Sequence, residues 1–217
     1  VLGLVGPNGA GKTTTLRCLT GIIPATLGNS RIAGIDVAAD PVGAKRLLAF
    51  IADEPRLFEH LTVAQHLAFV ARLYGVHDHV QRAPAILAEL EMADKRDLLP
   101  AELSRGMKQK LAIACGLLHQ PKVVIFDEPM TGLDPVGMRR MKGVMRRLAS
   151  GGAAIILSSH LLDLVEEVCT HLLILKDGTK VADGTVDAVR ERFADNAGSS
   201  LEDAFIRATG EGEPAPP

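Results

Sequence analysis

The chain has 217 residues, with 24 Lys and Arg against 26 Asp and Glu and a formal net charge of −2. That length suffices for one domain or two small ones, and the near-neutral balance gives no electrostatic case for nucleic acid as a partner. No run of about 18 apolar residues occurs, so the sequence contains no membrane-spanning helix. Cys18, Cys115 and Cys169 are widely spaced and match no metal motif. Such sparse usage suits a reducing compartment better than a disulfide framework, and all three read as small, mostly buried apolar residues.

In chain order, Val1 to Val5 reads as a short buried strand that begins in mid-pattern, as if the chain's own start lay upstream. A Gly-rich loop follows from Gly6, and Thr13 to Leu19 continues as a helix, stopped by Gly21 and Pro24. Arg31 to Val37 suggests a strand and turn, Pro41 to Leu47 a helix, and Leu48 to Ala52 an apolar strand. From Leu61 to Leu118 the pattern is helical. Thr62 is an N-cap, Val63, Leu67, Val70, Ala71 and Tyr74 recur at helix spacing, and Gly75 ends the run. Further helices are expected over Ala85 to Met92 and Leu111 to Leu118.

Buried-strand runs return at Val123 to Phe126 and Ala153 to Leu157, separated by a helix over Pro135 to Leu148. Strands alternating with helices predict a largely parallel sheet. Leu172 to Leu175, the turn Asp177-Gly178, and Lys180 to Ala182 read as a hairpin edge; Thr185 caps a final helical region, and Gly210 to Pro217 reads as a disordered tail. The basic cluster Arg139, Arg140, Lys142, Arg146 and Arg147 reads as a solvated helix face. His66, His77, His79, His119 and His171 read as structural.

Gly6-Pro7-Asn8-Gly9-Ala10-Gly11-Lys12-Thr13 matches the phosphate-loop pattern G-x-x-x-x-G-K-[ST] in full, between a strand and a helix. The glycines let backbone N–H groups curl around phosphate oxygens, and the following helix turns its positive end toward the same anion. Lys12 would reach the β- and γ-phosphates, the Thr13 hydroxyl would ligate Mg²⁺, and Thr14 would bond a phosphate. Val123-Val-Ile-Phe-Asp127-Glu128 is a strand that delivers two acids to a cleft. Asp127 suits Mg²⁺ and Glu128 suits polarising the attacking water.

Further motifs then make the resemblance specific. Leu103-Ser-Arg-Gly-Met107, followed by Lys108-Gln109, resembles the signature motif of the ATP-binding cassette (ABC) family, usually LSGGQ. Glu128-Pro-Met-Thr-Gly-Leu-Asp134-Pro135 resembles that family's D-loop, and Ser158-Ser-His160 its switch histidine. The resemblance covers almost the whole chain and implies an α/β P-loop NTPase fold. Residues 1–60 and 119–183 would form a mainly parallel, RecA-like ATP-binding core, 61–118 an inserted all-helical signature subdomain, and 184–209 the C-terminal helices.

By the same resemblance, Ser104 and Gly106 would meet the γ-phosphate held by the opposite subunit, Asp134 would communicate across the dimer, and His160 would contact the γ-phosphate. Two departures stand out. Arg105 and Met107 replace the commoner Gly and Gln, and the glutamine expected near residues 50–55 is Asp53, which could ligate Mg²⁺, with Glu54 as the alternative. Leu57, Phe58 and Leu61 beyond it suit either a membrane partner's helix or the core. The family's adenine-stacking aromatic would lie upstream of the loop and is not among these residues.

The resemblance thus implies an ATP hydrolase with ATP and Mg²⁺. It would pair head to tail with a second copy or a paralogous subunit and drive a transmembrane permease on the cytoplasmic face of the membrane. Among the family's branches it most resembles the drug, lipid and polymer exporters. The other readings are an importer subunit, a soluble relative acting on ribosomes or DNA, and a cassette that binds ATP but hydrolyses it poorly.

Overall fold

A computed structural model describes residues 1–193 and 200–210. Of the tail read as disordered, residues 211–217 lie outside the described residues. The elements run β1 (Leu2–Val5), α1 (Lys12–Leu19), β2 (Arg31–Ile32), β3 (Ile35–Asp36), α2 (Pro41–Arg46), β4 (Leu48–Ile51), α3 (Val63–Tyr74), α4 (His79–Glu89) and α5 (Arg105–Leu117). Then come β5 (Val123–Asp127), α6 (Pro135–Ser150), β6 (Ala154–Ser158), α7 (Leu162–Val168), β7 (His171–Lys176), β8 (Thr179–Thr185), α8 (Val186–Arg192) and α9 (Leu201–Thr209).

Six strands form one sheet in the order β4-β5-β6-β1-β7-β8. All neighbours are parallel except the β7–β8 hairpin. Parallel strands are buried on both faces, so alternate residues feed opposite layers. Leu4, Leu48, Ile125 and Leu175 pack with Leu16 of α1 and Ala44 of α2. Val5, Ala49, Val124, Phe126 and Leu157 face the other way, into a core shared with Leu111 of α5, Met145 of α6 and Val165 of α7. Leu67 of α3, Leu87 of α4 and Met92 belong to that same buried cluster, so the helical region is continuous with the core of the sheet.

The parallel register lines up the strand ends that matter. Asp127 lies beside Ser158, and Ser158 lies beside Leu4. The last residue of β5, the last of β6 and the start of the phosphate loop therefore share one edge of the sheet. Ligands of open α/β sheets bind at that carboxyl edge.

Several expectations shift. The helix expected from Ala85 begins at His79 and carries Pro84 in its second turn. The helix expected from Leu111 begins at Arg105, because Ser104 caps it by accepting from the Met107 amide at 3.2 Å. Helix α7 is an element the apolar pattern alone did not suggest. Of the cysteines only Cys169 is buried, Cys18 and Cys115 being partly so, and all are free thiols. Burial pushes the Cys115 and Cys169 thiols up to about 12, which makes them unreactive.

The basic face of α6 is not simply solvated. Arg140 pairs with Glu91, Arg147 pairs bidentately with Glu89, and Lys142 and Arg146 converge on Glu167 of α7. Those ion pairs tie α6 to the helices on either side of it.

His66 is structural: its Nδ1 meets the Thr62 carbonyl at 2.8 Å, and its Nε2 accepts from the Phe58 amide at 3.0 Å. His119 stacks on Tyr74 with ring centroids 3.9 Å apart and donates from Nε2 to the Leu48 carbonyl at 3.2 Å. Its buried Nδ1 has no partner among the described residues, and burial lowers its pKa below the ordinary 6.5. The neutral ring is therefore the folded form. Its contribution to stability is complete above pH 6.5 and is lost as pH falls from 6.5 through the folded value. The melting temperature is expected to drop between pH 7 and pH 5, and His119→Phe, which keeps the stack, should flatten that drop. An unchanged slope in the variant would contradict this role.

Candidate functional site

The loop from Gly6 to Gly11 leaves β1 and opens into α1. A Cβ on Gly6 would stand 2.3 Å from the Leu175 carbonyl oxygen, so only glycine lets the loop start this close to β7. Gly9 and Gly11 have φ of 81° and 96°, the left-handed region that curls the backbone. Gly11 is the N-cap of α1 and offers no side-chain bond, so the cap leaves first-turn amides of α1 free for an anion. Lys12 is buried and turns its ammonium back onto the Gly6 and Pro7 carbonyls, at 2.7 and 3.1 Å. Pro7, Asn8 and Ala10 complete the curve, with the Ala10 carbonyl accepting from the Gly178 amide at 3.1 Å. Thr14 is exposed in the first turn.

Two strand ends converge beside the loop. Asp127 is 2% exposed, and its Oδ1 accepts from the Thr13 hydroxyl at 3.2 Å and from the Ser158 hydroxyl at 2.6 Å. Ser158 is fully buried, and its Oγ also accepts from the Glu128 amide at 3.0 Å. Glu128 has φ of 49°, unusual for a side chain of its length. Its amide is held as well by the Ser158 carbonyl at 3.2 Å. This backbone turn points the acid out of the strand instead of along it. His160 Nδ1 meets Glu128 Oε2 at 2.9 Å, and since an ionised carboxylate only accepts, Nδ1 carries the proton.

Two hollows flank the loop. One, of about 560 Å³, is lined by Thr13, Asp127, Asp53, Glu54, Arg17 and Arg56. A smaller one, of about 180 Å³, lies among Gly6, Pro7, Asn8, Ser159, His160 and Phe205. A larger concavity, about 750 Å³, is elsewhere, among Ile86, Leu117, Lys122, Leu148 and Ala153 near the opposite ends of β5 and β6. Size does not locate this site; the convergence of acids, a lysine and a glycine loop does.

The loop, Asp127, Glu128, His160 and Asp53 thus come together. Ser104, Gly106 and Asp134 do not line the hollow that holds Thr13 and Asp127. Ser104 caps α5 with one lone pair, which leaves its hydroxyl hydrogen free to donate. Asp134 caps α6, accepting from the Gly137 amide at 2.7 Å. A Cβ on Gly106 would stand 2.6 Å from the Gly132 carbonyl oxygen, so this glycine is required already by packing against the segment before Asp134.

The residue that sequence reasoning missed is Ser158. It reads only as the residue that opens the Ser158-Ser-His160 motif, with no role of its own, yet its one hydroxyl serves both acids. The signal available was its position in a register that pairs it with Asp127. Ser158→Ala would leave a buried carboxylate oxygen and an amide each without one partner, which costs about 1–3 kcal/mol. The variant is expected to fold, to melt several degrees lower and to hydrolyse nucleotide at least about ten-fold more slowly. Wild-type turnover would contradict this orienting role.

Comparison with known proteins identifies the family and the fold. The model of the family described as "ABC transporter" matches residues 1–131. The chain is 36% identical over 213 residues to the ABC-type transporter ATP-binding protein EcsA of Bacillus subtilis (strain 168), covering 97% of this chain and 86% of that one. It is 36% identical over 184 residues to Nod factor export ATP-binding protein I of Burkholderia pseudomallei (strain 1710b), covering 84% of this chain but only 60% of that protein. A solved structure described as "Structure of ATP binding subunit of ABC transporter" superposes with a TM-score of 0.90 at 35% identity, over 95% of this chain and 87% of that one. The chain belongs to the ABC transporter family, as an ATP-binding domain of the kind that hydrolyses ATP in transporters.

Proposed function

We propose that two such chains, identical or paralogous, close head to tail over two ATP molecules and drive export through a separate transmembrane subunit. The observation that carries the reading is the Ser158 hydroxyl, which fixes Asp127 under Thr13 and Glu128 beside His160. Each chain would bring the loop, the acids and His160 on one face, and Ser104 with Gly106 on another. Such a pair has closed symmetry.

In this reading the loop amides and Lys12 bind the phosphates, with Lys12 moving from its own loop carbonyls to phosphate oxygens. The Thr13 hydroxyl and the Asp127 carboxylate, with Asp53 on the same hollow, are hard oxygen donors that fit Mg²⁺. When bound, Mg²⁺ neutralises charge on the β- and γ-phosphate oxygens. Glu128 orients water and accepts its proton, and His160 holds that carboxylate in place. Ser104 donates to the γ-phosphate across the interface, at the amino end of α5 where the helix dipole favours an anion. Asp134 stands near the interface and links its closure to α6.

Residues 61–118 act as the helical subdomain that carries the signature. Phe58 and Leu73 are 54% and 68% exposed, and Phe58 meets Phe69 edge-on at 5.0 Å. This apolar patch, steadied by the bond from the Phe58 amide to His66, is the surface offered to the membrane subunit. No helix among the described residues is long and apolar enough to cross a membrane; in this reading, attachment to the inner face goes through that subunit. Export as the direction draws on the similarity to the Nod factor export protein.

Glu128→Gln tests the chemistry and the assembly together. The variant is expected to bind Mg²⁺·ATP as tightly as the parent and to turn over at least about 100-fold more slowly, the loss typical for removal of a general base. Tagged and recovered from gently solubilised membranes, it should bring down a multi-helix membrane protein. Undiminished turnover would contradict the role of Glu128, and recovery with ribosomes or DNA would contradict the transport reading.

A further inference from the structure

Two residues one turn apart on α5 reach back to the same short segment at the end of β4. Gln109 is 1% exposed, and its Nε2 donates to the Ala52 carbonyl at 3.3 Å. Arg105, four positions earlier and so on the same helix face, donates from its guanidinium to Asp53 Oδ1 at 3.4 Å. Asp53 also lines the hollow that holds Thr13 and Asp127. The carboxylate therefore stands between a cation on the signature helix and the place where Mg²⁺·ATP would bind.

Three further observations make this more than a chance surface pair. Arg105 is the first residue of α5, where the helix dipole repels a cation unless an anion answers it. Its stem lies over Gly132, with its Cγ and Cδ 3.1 Å from where a Cβ there would be, so the guanidinium is aimed by the backbone of the D-loop segment. Gln109 is buried with its Oε1 unpartnered among the described residues, although its Nε2 is committed to Ala52. A buried amide left half-satisfied calls for a reason, and the bond it does make ties α5 to the segment after β4.

We infer that Arg105 and Gln109 clamp the Ala52–Asp53 segment to the signature helix within one chain, so that Asp53 is shared between Arg105 and the nucleotide. This rests on the proposed placement of Mg²⁺·ATP in the hollow. Arg105 is then a positioning residue: it holds Asp53 back while the hollow is empty and is released, at the mouth of the signature, when Asp53 turns inward. The binding event in one half-site would thereby change the charge presented by the same chain's signature to the other.

The test uses the 217-residue chain and a non-hydrolysable ATP analogue. Arg105→Met keeps the stem over Gly132 and removes the charge. In nucleotide-free protein, amide exchange over residues 52–57 is expected to quicken in Arg105→Met and in Gln109→Leu, and to stay at the parental rate in Arg105→Lys. The Mg²⁺ concentration needed for half-maximal analogue binding should fall about two- to five-fold in Arg105→Met, the range an exposed ion pair supports. Arg105→Lys should restore it, and in an Asp53→Asn background the Arg105→Met shift should vanish. Unchanged exchange in both Arg105→Met and Gln109→Leu would overturn the clamp, as would a Mg²⁺ shift of equal size in the Asp53→Asn background. If the parent bound no analogue at all, the nucleotide reading would fail, while the exchange data would still decide the clamp.

Discussion

One hydroxyl holds the chemistry of this fold together. Ser158 sits fully buried where β5 and β6 end side by side, donates to Asp127 and accepts from the amide of Glu128. A carboxylate as buried as Asp127 is tolerable only when its oxygens are answered. Here Ser158 on the neighbouring strand and Thr13 on the phosphate loop both donate to Oδ1. The bond to the Glu128 amide secures a backbone turn at φ 49° that costs on the order of 1–3 kcal/mol. That turn separates two adjacent acids into two roles, one facing the loop and one facing His160. The parallel register makes this possible, because a slip of one residue would send Ser158 to the other face.

The phosphate loop, the acid pair, the helix cap at Thr62 and the alternation of strands with helices were legible in the sequence, because each is written in neighbouring residues. Contacts across the sheet were not. Ser158 was legible only as the first residue of the switch-histidine motif, since its partners lie 31 and 30 positions away. The basic run on α6 looked solvated because the glutamates that answer it belong to α7 and to the end of α4 and the turn after it. Gly106 read as room for a phosphate, while its nearest neighbour is the Gly132 carbonyl. The start of α4 was obscured by Pro84, which a helix tolerates near its beginning more easily than deep inside. The departures at residues 53 and 105 were visible, but that they answer each other was not.

The arrangement also carries a division of labour. The loop and both acids belong to one hollow, whereas Ser104 and Gly106 do not line it. In the proposed pair another chain completes the site, and ATP is the bond between the two. In that proposal the binding energy of two nucleotides would become work on a membrane partner, because closure would favour one of its two states. The ties between α6, α4 and α7, and the continuity of the helical region with the core of the sheet, join the signature helix to the rest of the described residues.

Dependence on a second chain is what a single measurement tests most directly. Specific ATPase activity should be measured at saturating Mg²⁺·ATP over a wide range of protein concentration. Head-to-tail pairing predicts that activity per chain rises with concentration and then levels off, as pairs come to dominate. Activity per chain that stays constant down to the most dilute sample, with the protein monomeric there, would contradict it.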